Sequence, residues 1–138
     1  MNIGLVAASL EQADGPLGAK RLYTSPLFQL SADYCRRHYH RWFVLSWEHR
    51  LLGPEETVLR SEEVQACRGP GERRRWADGV LGRLRALGLA DERYFIHAGP
   101  DHASLLLPML DAAWPVRGLT EGEQLARYKS HLRDMLIP

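Results

Sequence analysis

Residues 43–53, FVLSWEHRLLG, open as a buried strand and then set Ser46, Trp47, Glu48, His49 and Arg50 side by side. Adjacent carboxylate and imidazole in a partly desolvated cleft reach pKa values useful for proton transfer near neutrality. Glu48 and His49 are therefore candidate general base and acid. Consecutive strand side chains point to opposite faces, so this pair converges only where the chain has turned. Ser46 ends the apolar run, where its hydroxyl binds a ligand or caps a turn. Trp47 offers a flat face to a ring.

Other residues could join them. Tyr23, Thr24 and Ser25 precede a helix start, whose free N–H groups suit an anion or a polar base edge, while Ser25 alone also reads as an N-cap. Thr120-x-x-Glu123 satisfies the capping-box pattern, a structural role for Glu123. Gln124 beside it can read an amide or base edge with donor and acceptor together. His97 interrupts the strand pattern YFIHAG, where a hydrogen-bonded core imidazole is the plainer reading.

The elements that must position these groups alternate regularly. Ile3 to Ala8 is a short apolar run suited to a central strand, followed by a loop, SLEQADGPLGAK. Ser25-Pro26 marks a helix over about residues 26–39, with Ser as N-cap and Pro at the first helical position. RWFVLS is a second strand, and ETVLR a short third one. GERRRWADGVLGRLRALG places Trp76, Val80, Leu81, Leu84 and Leu87 on one face, with Gly88 as the stop. RYFIHAG follows as a strand, DHASLLLPML as a helix started by Asp101, WPVRGL as a last strand and EGEQLARYKSHLRDML as a last helix. Strand and helix in alternation imply one α/β domain over residues 1–138, three-layered, with a mostly parallel sheet of about four to five strands between helices. Ligands of such sheets bind beyond the carboxyl ends of the strands. Ser9 to Gln12, Ser46 to Arg50, Gly99 to His102 and Gly118 to Gln124 follow strands and should open on that one edge.

Composition limits the partners. The 18 basic and 17 acidic residues leave a net charge of +1, which disfavours nucleic acid as a partner except through a local patch. RRHYHRW, residues 36–42, is the best such patch, and a solvated helix end is its plainer reading. The N-terminal apolar run has no basic residue ahead of it, and no stretch approaches the ~18 apolar residues of a membrane span, so no membrane association and a cytoplasmic location are expected. Cys35 and Cys67 show neither C-x-x-C nor partnered His spacing, so no zinc site or disulfide framework is expected. With no metal, flavin or dinucleotide motif, no cofactor is expected.

LYTSPLF at 22–28, WFVLSWEHRLLGPEETV at 42–58, WAD at 76–78, HAGPDHASLLLPML at 97–110 and GLTEGEQL at 118–125 resemble the ordered blocks of a bacterial domain family of unknown function. That family reads L-Y-T-S-x-L-F, W-F-I-L-S-A-K-H-G-L-L-x-P, A-G-x-x-Y and G-x-G-E-Q-L. The L-S-x-x-x-x-x-L-x-P segment is more distantly similar to YaaA-like peroxide-stress proteins, a family associated with DNA binding. The resemblance implies a fold and a site location more than a reaction. It gives Glu123 and Gln124 a functional reading beside the structural one, and sets His102, near Gly99, where the family commonly has Tyr.

The departures are specific. Ala8 stands in a Cys position, and Leu10, Glu11 and Gln12 stand where the family carries Lys. A basic loop at a strand end is a natural phosphate contact, and here its sign is inverted. Glu48 replaces Lys and Arg50 replaces Gly.

The expected function is a small-molecule enzyme acting on a nucleoside, nucleotide or related heterocycle, by hydrolysis or group transfer, for example at a glycosidic bond. Glu48, His49 and Glu123 would be catalytic, and Tyr23, Thr24, Ser25, Ser46, Trp47, Gly99, His102 and Gln124 would hold the substrate. The alternative is a non-enzymatic nucleic-acid-binding or stress-response domain. It is disfavoured by the charge balance and the missing lysines.

Overall fold

The computed structural model describes residues 1–60 and 69–136, with side chains to residue 133. Cys67 lies outside the described residues. The elements run β1 (Asn2–Ala7), β2 (Leu17–Gly18), α1 (Ala19–Leu22), α2 (Pro26–His38), β3 (Arg41–Ser46), β4 (Arg50–Leu52), β5 (Thr57–Val58), α3 (Pro70–Ala86), β6 (Arg93–His97), α4 (Pro100–Leu106), β7 (Ala112–Ala113) and α5 (Glu121–Leu136).

The main sheet has the order β4-β3-β1-β6-β7. β3, β1, β6 and β7 are parallel, and β4 is an antiparallel edge strand. Side-chain alternation along the parallel strands divides the core into two layers. Ile3, Leu5, Phe43, Leu45, Tyr94 and Ile96 pack with Trp76, Val80 and Leu84 of α3 and with Ala103 and Leu106 of α4. Val6 and Val44 face the other way, against Phe28, Ala32 and Cys35 of α2. α5 lies against α2 on that face. The result is the α/β architecture read from the alternation, with helices on both sides of a mostly parallel sheet.

Local chemistry fixes the helix ends. Ser25 Oγ accepts the Phe28 N–H at 3.1 Å, with Pro26 at the first helical position of α2. Thr120 and Glu123 form the reciprocal capping box of α5: Glu123 N donates to Thr120 Oγ1 and Thr120 N to Glu123 Oε1, both at 3.1 Å. Gly4 lets α2 approach β1 closely, because a Cβ there would lie 2.7 Å from both Cys35 Sγ and the Tyr39 ring.

Four expectations need correction. No strand covers WPVRGL. β7 is Ala112–Ala113, and residues 115–118 form turns, since Pro115 offers no ladder donor and the Trp114 indole instead donates to Ala98 O at 2.9 Å. The ETVLR strand is only Thr57–Val58, paired antiparallel with β2 in a separate two-stranded sheet. The segment read as one long loop after β1 contains β2 and the first two residues of α1. α4 begins from Gly99 with Pro100 at its first position, and Asp101 lies inside its first turn rather than capping it.

Candidate functional site

The chain leaves β1 through α2 to reach β3 on one side, and leaves β6 through α4 to reach β7 on the other. β1 and β6 are neighbours, so their connections depart in opposite directions and leave a crevice beyond their carboxyl ends. A cleft of about 580 Å³ occupies this place, lined among others by Ala8, Ser9 and Glu11 after β1, by Ser25, Phe28 and Ser31 of the α2 region, by His97 to Asp101, and by Glu121 and Gln124 of α5.

The first wall is held by backbone pairing between the post-β1 loop and the entry to α2. Ala13 N donates to Leu22 O at 2.8 Å and Thr24 N to Glu11 O at 2.9 Å, while Ser9 Oγ donates to Glu11 O at 2.7 Å. Glu11 is thereby set beside Ser25. The second wall is anchored by His97, whose two ring nitrogens are hydrogen-bonded to tyrosine hydroxyls, Nε2 to Tyr39 at 2.7 Å and Nδ1 to Tyr128 at 2.5 Å. Burial, with a smaller contribution from His38, pushes the His97 pKa down to about 4 and keeps the ring neutral. Gln124 is buried, donating from Nε2 to Leu119 O at 3.2 Å. Three carboxylates, Glu11, Asp101 and Glu121, stand exposed around the opening, and the described lining includes no Lys or Arg.

Of the residues expected from the sequence to act on or hold a substrate, Ser25, Gly99 and Gln124 line this cleft, and so does His97, read there as a core imidazole. Glu123 is beside it, but its carboxylate is engaged in the capping box. The Thr120 backbone and side-chain hydrogen bonds hold its pKa below the ordinary carboxylate value. Tyr23 is fully buried, its ring 5.3 Å from that of Phe28, and Thr24 is exposed.

Ser46, Trp47, Glu48, His49 and His102 form a second group, at the end of β3. There the chain does turn, as a hairpin into β4, and the buried Ser46 hydroxyl caps it by accepting the His49 N–H at 2.9 Å. Trp47 stacks on His102 with ring centroids 4.0 Å apart, and both rings lean on Trp76, whose indole donates to Ser46 O at 2.9 Å. Burial pushes the His102 pKa down to about 3, and Nε2 of both His102 and His49 is buried without a hydrogen-bond partner among the described residues. Glu48 is exposed at the turn. None of these five lines the switch-point cleft.

Sequence reasoning named Glu11 as a departure from the family and Asp101 as a helix start without assigning either to a site, and named only the loop that carries Glu121. The signal was present in their position directly after strands or at a helix start. The basic run is largely committed: Arg36 and Arg37 both pair with Asp33, and His40 Nδ1 accepts the Asn2 N–H at 2.8 Å.

Strand order and cleft together define an α/β protein with a ligand-sized crevice at its topological switch point. Residues 3–130 match the family of unknown function DUF6884, and the chain belongs to that family. Neither a curated protein nor a solved structure matches it. Arg50 closes the hairpin turn between β3 and β4. Its φ of 66° is a left-handed conformation, which glycine adopts without strain.

Proposed function

We propose that the protein is a small-molecule enzyme acting on a nucleoside or related heterocycle, by hydrolysis or group transfer at a glycosidic bond, in the cleft between the ends of β1 and β6. The observation that carries this reading is the coincidence of a 580 Å³ cleft with the switch point of the sheet, where open α/β folds bind their ligands. Its apolar side, from Phe28, Leu27 and Pro100, suits a ring, and Ser25 and Gln124 supply polar contacts. Glu11, Asp101 and Glu121 offer carboxylates to stabilise an oxocarbenium-like centre or to activate water. The catalytic roles expected of Glu48, His49 and Glu123 pass to these three, because Glu48 and His49 sit on the hairpin turn apart from the cleft and Glu123 caps α5.

The similarity of residues 45–54 to YaaA-like proteins supports the competing nucleic-acid reading, and one screen separates the two. Melting temperature is followed against nucleobases, nucleosides, nucleotides and short oligonucleotides at low and high salt, with chromatography for released base. The expected result is a salt-insensitive rise with a small molecule, and turnover reduced by about 10²-fold or more in Glu11→Gln or Glu121→Gln. A rise confined to oligonucleotides and abolished by salt refutes the proposal.

A further inference from the structure

The groups that the cleft leaves free are nearly all acceptors. Gln124 is only 8% exposed and lines the cleft; its Nε2 is engaged with Leu119 O, while its Oε1 accepts no hydrogen bond from any described residue. With Nε2 turned to the backbone, that oxygen is an acceptor open to whatever fills the cleft. Glu11, Asp101 and Glu121 make no ion pair or side-chain hydrogen bond among the described residues, and the described lining holds no Lys or Arg. Asp101 and Glu121 sit in the first turns of α4 and α5, where a negative charge is favourable for the helix itself. That explanation does not reach Glu11, which belongs to no helix, or the Gln124 oxygen.

The helix N-termini at the cleft are already partly occupied. The Phe28 N–H of α2 is taken by Ser25 Oγ, and the Glu123 N–H of α5 by Thr120 Oγ1. α4 begins at the cleft without a side-chain cap, but a phosphate would still meet three carboxylates with no Lys or Arg in the described lining to offset them.

The geometry points to a ligand that is rich in hydrogen-bond donors and carries no phosphate, an amino-substituted nucleoside, with its exocyclic amino group donating to Gln124 Oε1. This inference rests on the nucleoside reading and narrows it. Adenine and cytosine present such an amino group, whereas their deaminated counterparts present a carbonyl oxygen there, which would face the Gln124 oxygen acceptor to acceptor.

Titration calorimetry of the full chain at pH 7 with adenosine, cytidine, inosine, uridine, AMP and CMP tests it. Adenosine or cytidine should bind about tenfold more tightly than its deaminated counterpart, the worth of one hydrogen bond, and about tenfold more tightly than its own monophosphate. Gln124→Leu, checked for a native circular-dichroism spectrum, should abolish the first preference. Glu11→Gln, a change in an exposed loop, should weaken the second, as should high salt. If inosine, uridine or a monophosphate binds as tightly as the amino nucleoside, the inference is overturned and the nucleoside cleft stands. If none of the six binds, the nucleoside reading itself falls, and the inference with it.

Discussion

Mild acid should destabilise this protein through two buried histidines. His97 and His102 are both held neutral by burial, with pKa values near 4 and 3 against an ordinary 6.5. The unfolded chain binds protons at these two positions as pH falls below 6.5, and the folded chain does not. Their contribution to stability is complete above pH 6.5 and is lost progressively as pH falls toward the folded-state values. Each imidazole approaches a slope of about 1.4 kcal/mol per pH unit below 6.5, so the pair should remove roughly 3 kcal/mol between pH 6.5 and 5 and about 4 kcal/mol between pH 7 and 5. That is a large share of the ~5–15 kcal/mol typical of a domain. Asp33 and Glu123 do not confuse the window, because their lowered pKa values place their titration below it. His38, lowered by partial burial and by facing His131, adds a smaller effect of the same sign. Urea unfolding at pH 7 and pH 5 measures the change, with a midpoint expected to drop by roughly 2 M for a typical urea slope. His97→Gln keeps a donor and an acceptor for Tyr39 and Tyr128, and His102→Phe keeps a ring against Trp47; each should remove about half of the pH slope. A midpoint that does not move between pH 7 and 5, or that moves as far in both variants as in the parent, would refute the reasoning.

Two further outcomes follow from the backbone. Arg50→Gly should raise stability by about 1 kcal/mol, seen as a higher denaturation midpoint at unchanged slope, because the left-handed conformation at φ 66° is strained for arginine. Gly4→Ala should cost about 1–3 kcal/mol, since its methyl would meet Cys35 Sγ and Tyr39 at 2.7 Å between a core strand and α2; a melting temperature within a degree of the parent would show that α2 can move away.

The long periodic elements were legible because their pattern is their cause. Ile3, Leu5 and Val6 alternate between two helical layers, and Trp76, Val80, Leu81 and Leu84 line one side of α3, so burial and sequence period coincide. The two-residue strands were not legible, since Leu17–Gly18 and Ala112–Ala113 owe their state to neighbours distant in sequence. The hairpin from β3 to β4 was hidden for a different reason. Its turn places Arg50 rather than glycine at the left-handed position, which removes the usual signal, and so SWEHR read as a strand end open to a ligand. Ser46 and Trp47 were expected to hold a substrate, and in the fold Ser46 caps the turn while Trp47 stacks on His102.

The cleft residues depend on strand order, which periodicity does not encode. Knowing that loops follow strands gathers Ser9 to Gln12, Ser46 to Arg50 and Gly99 to His102 at one edge, but only the placement of β6 beside β1 joins the first and third of these and leaves the second apart. That placement gives weight to the departure at Glu11. The resemblance calls for lysine in this loop, and the loop runs along the wall of the switch-point cleft, so a change from cation to carboxylate alters the charge that a ligand meets. A solvated loop elsewhere could change sign at little consequence. At a cleft whose other charged lining residues are Asp101 and Glu121, the same change reverses which ligands are attracted and which repelled. Restoring the cation through Glu11→Lys should therefore favour phosphorylated ligands over neutral ones, the opposite of the preference the present sequence sets.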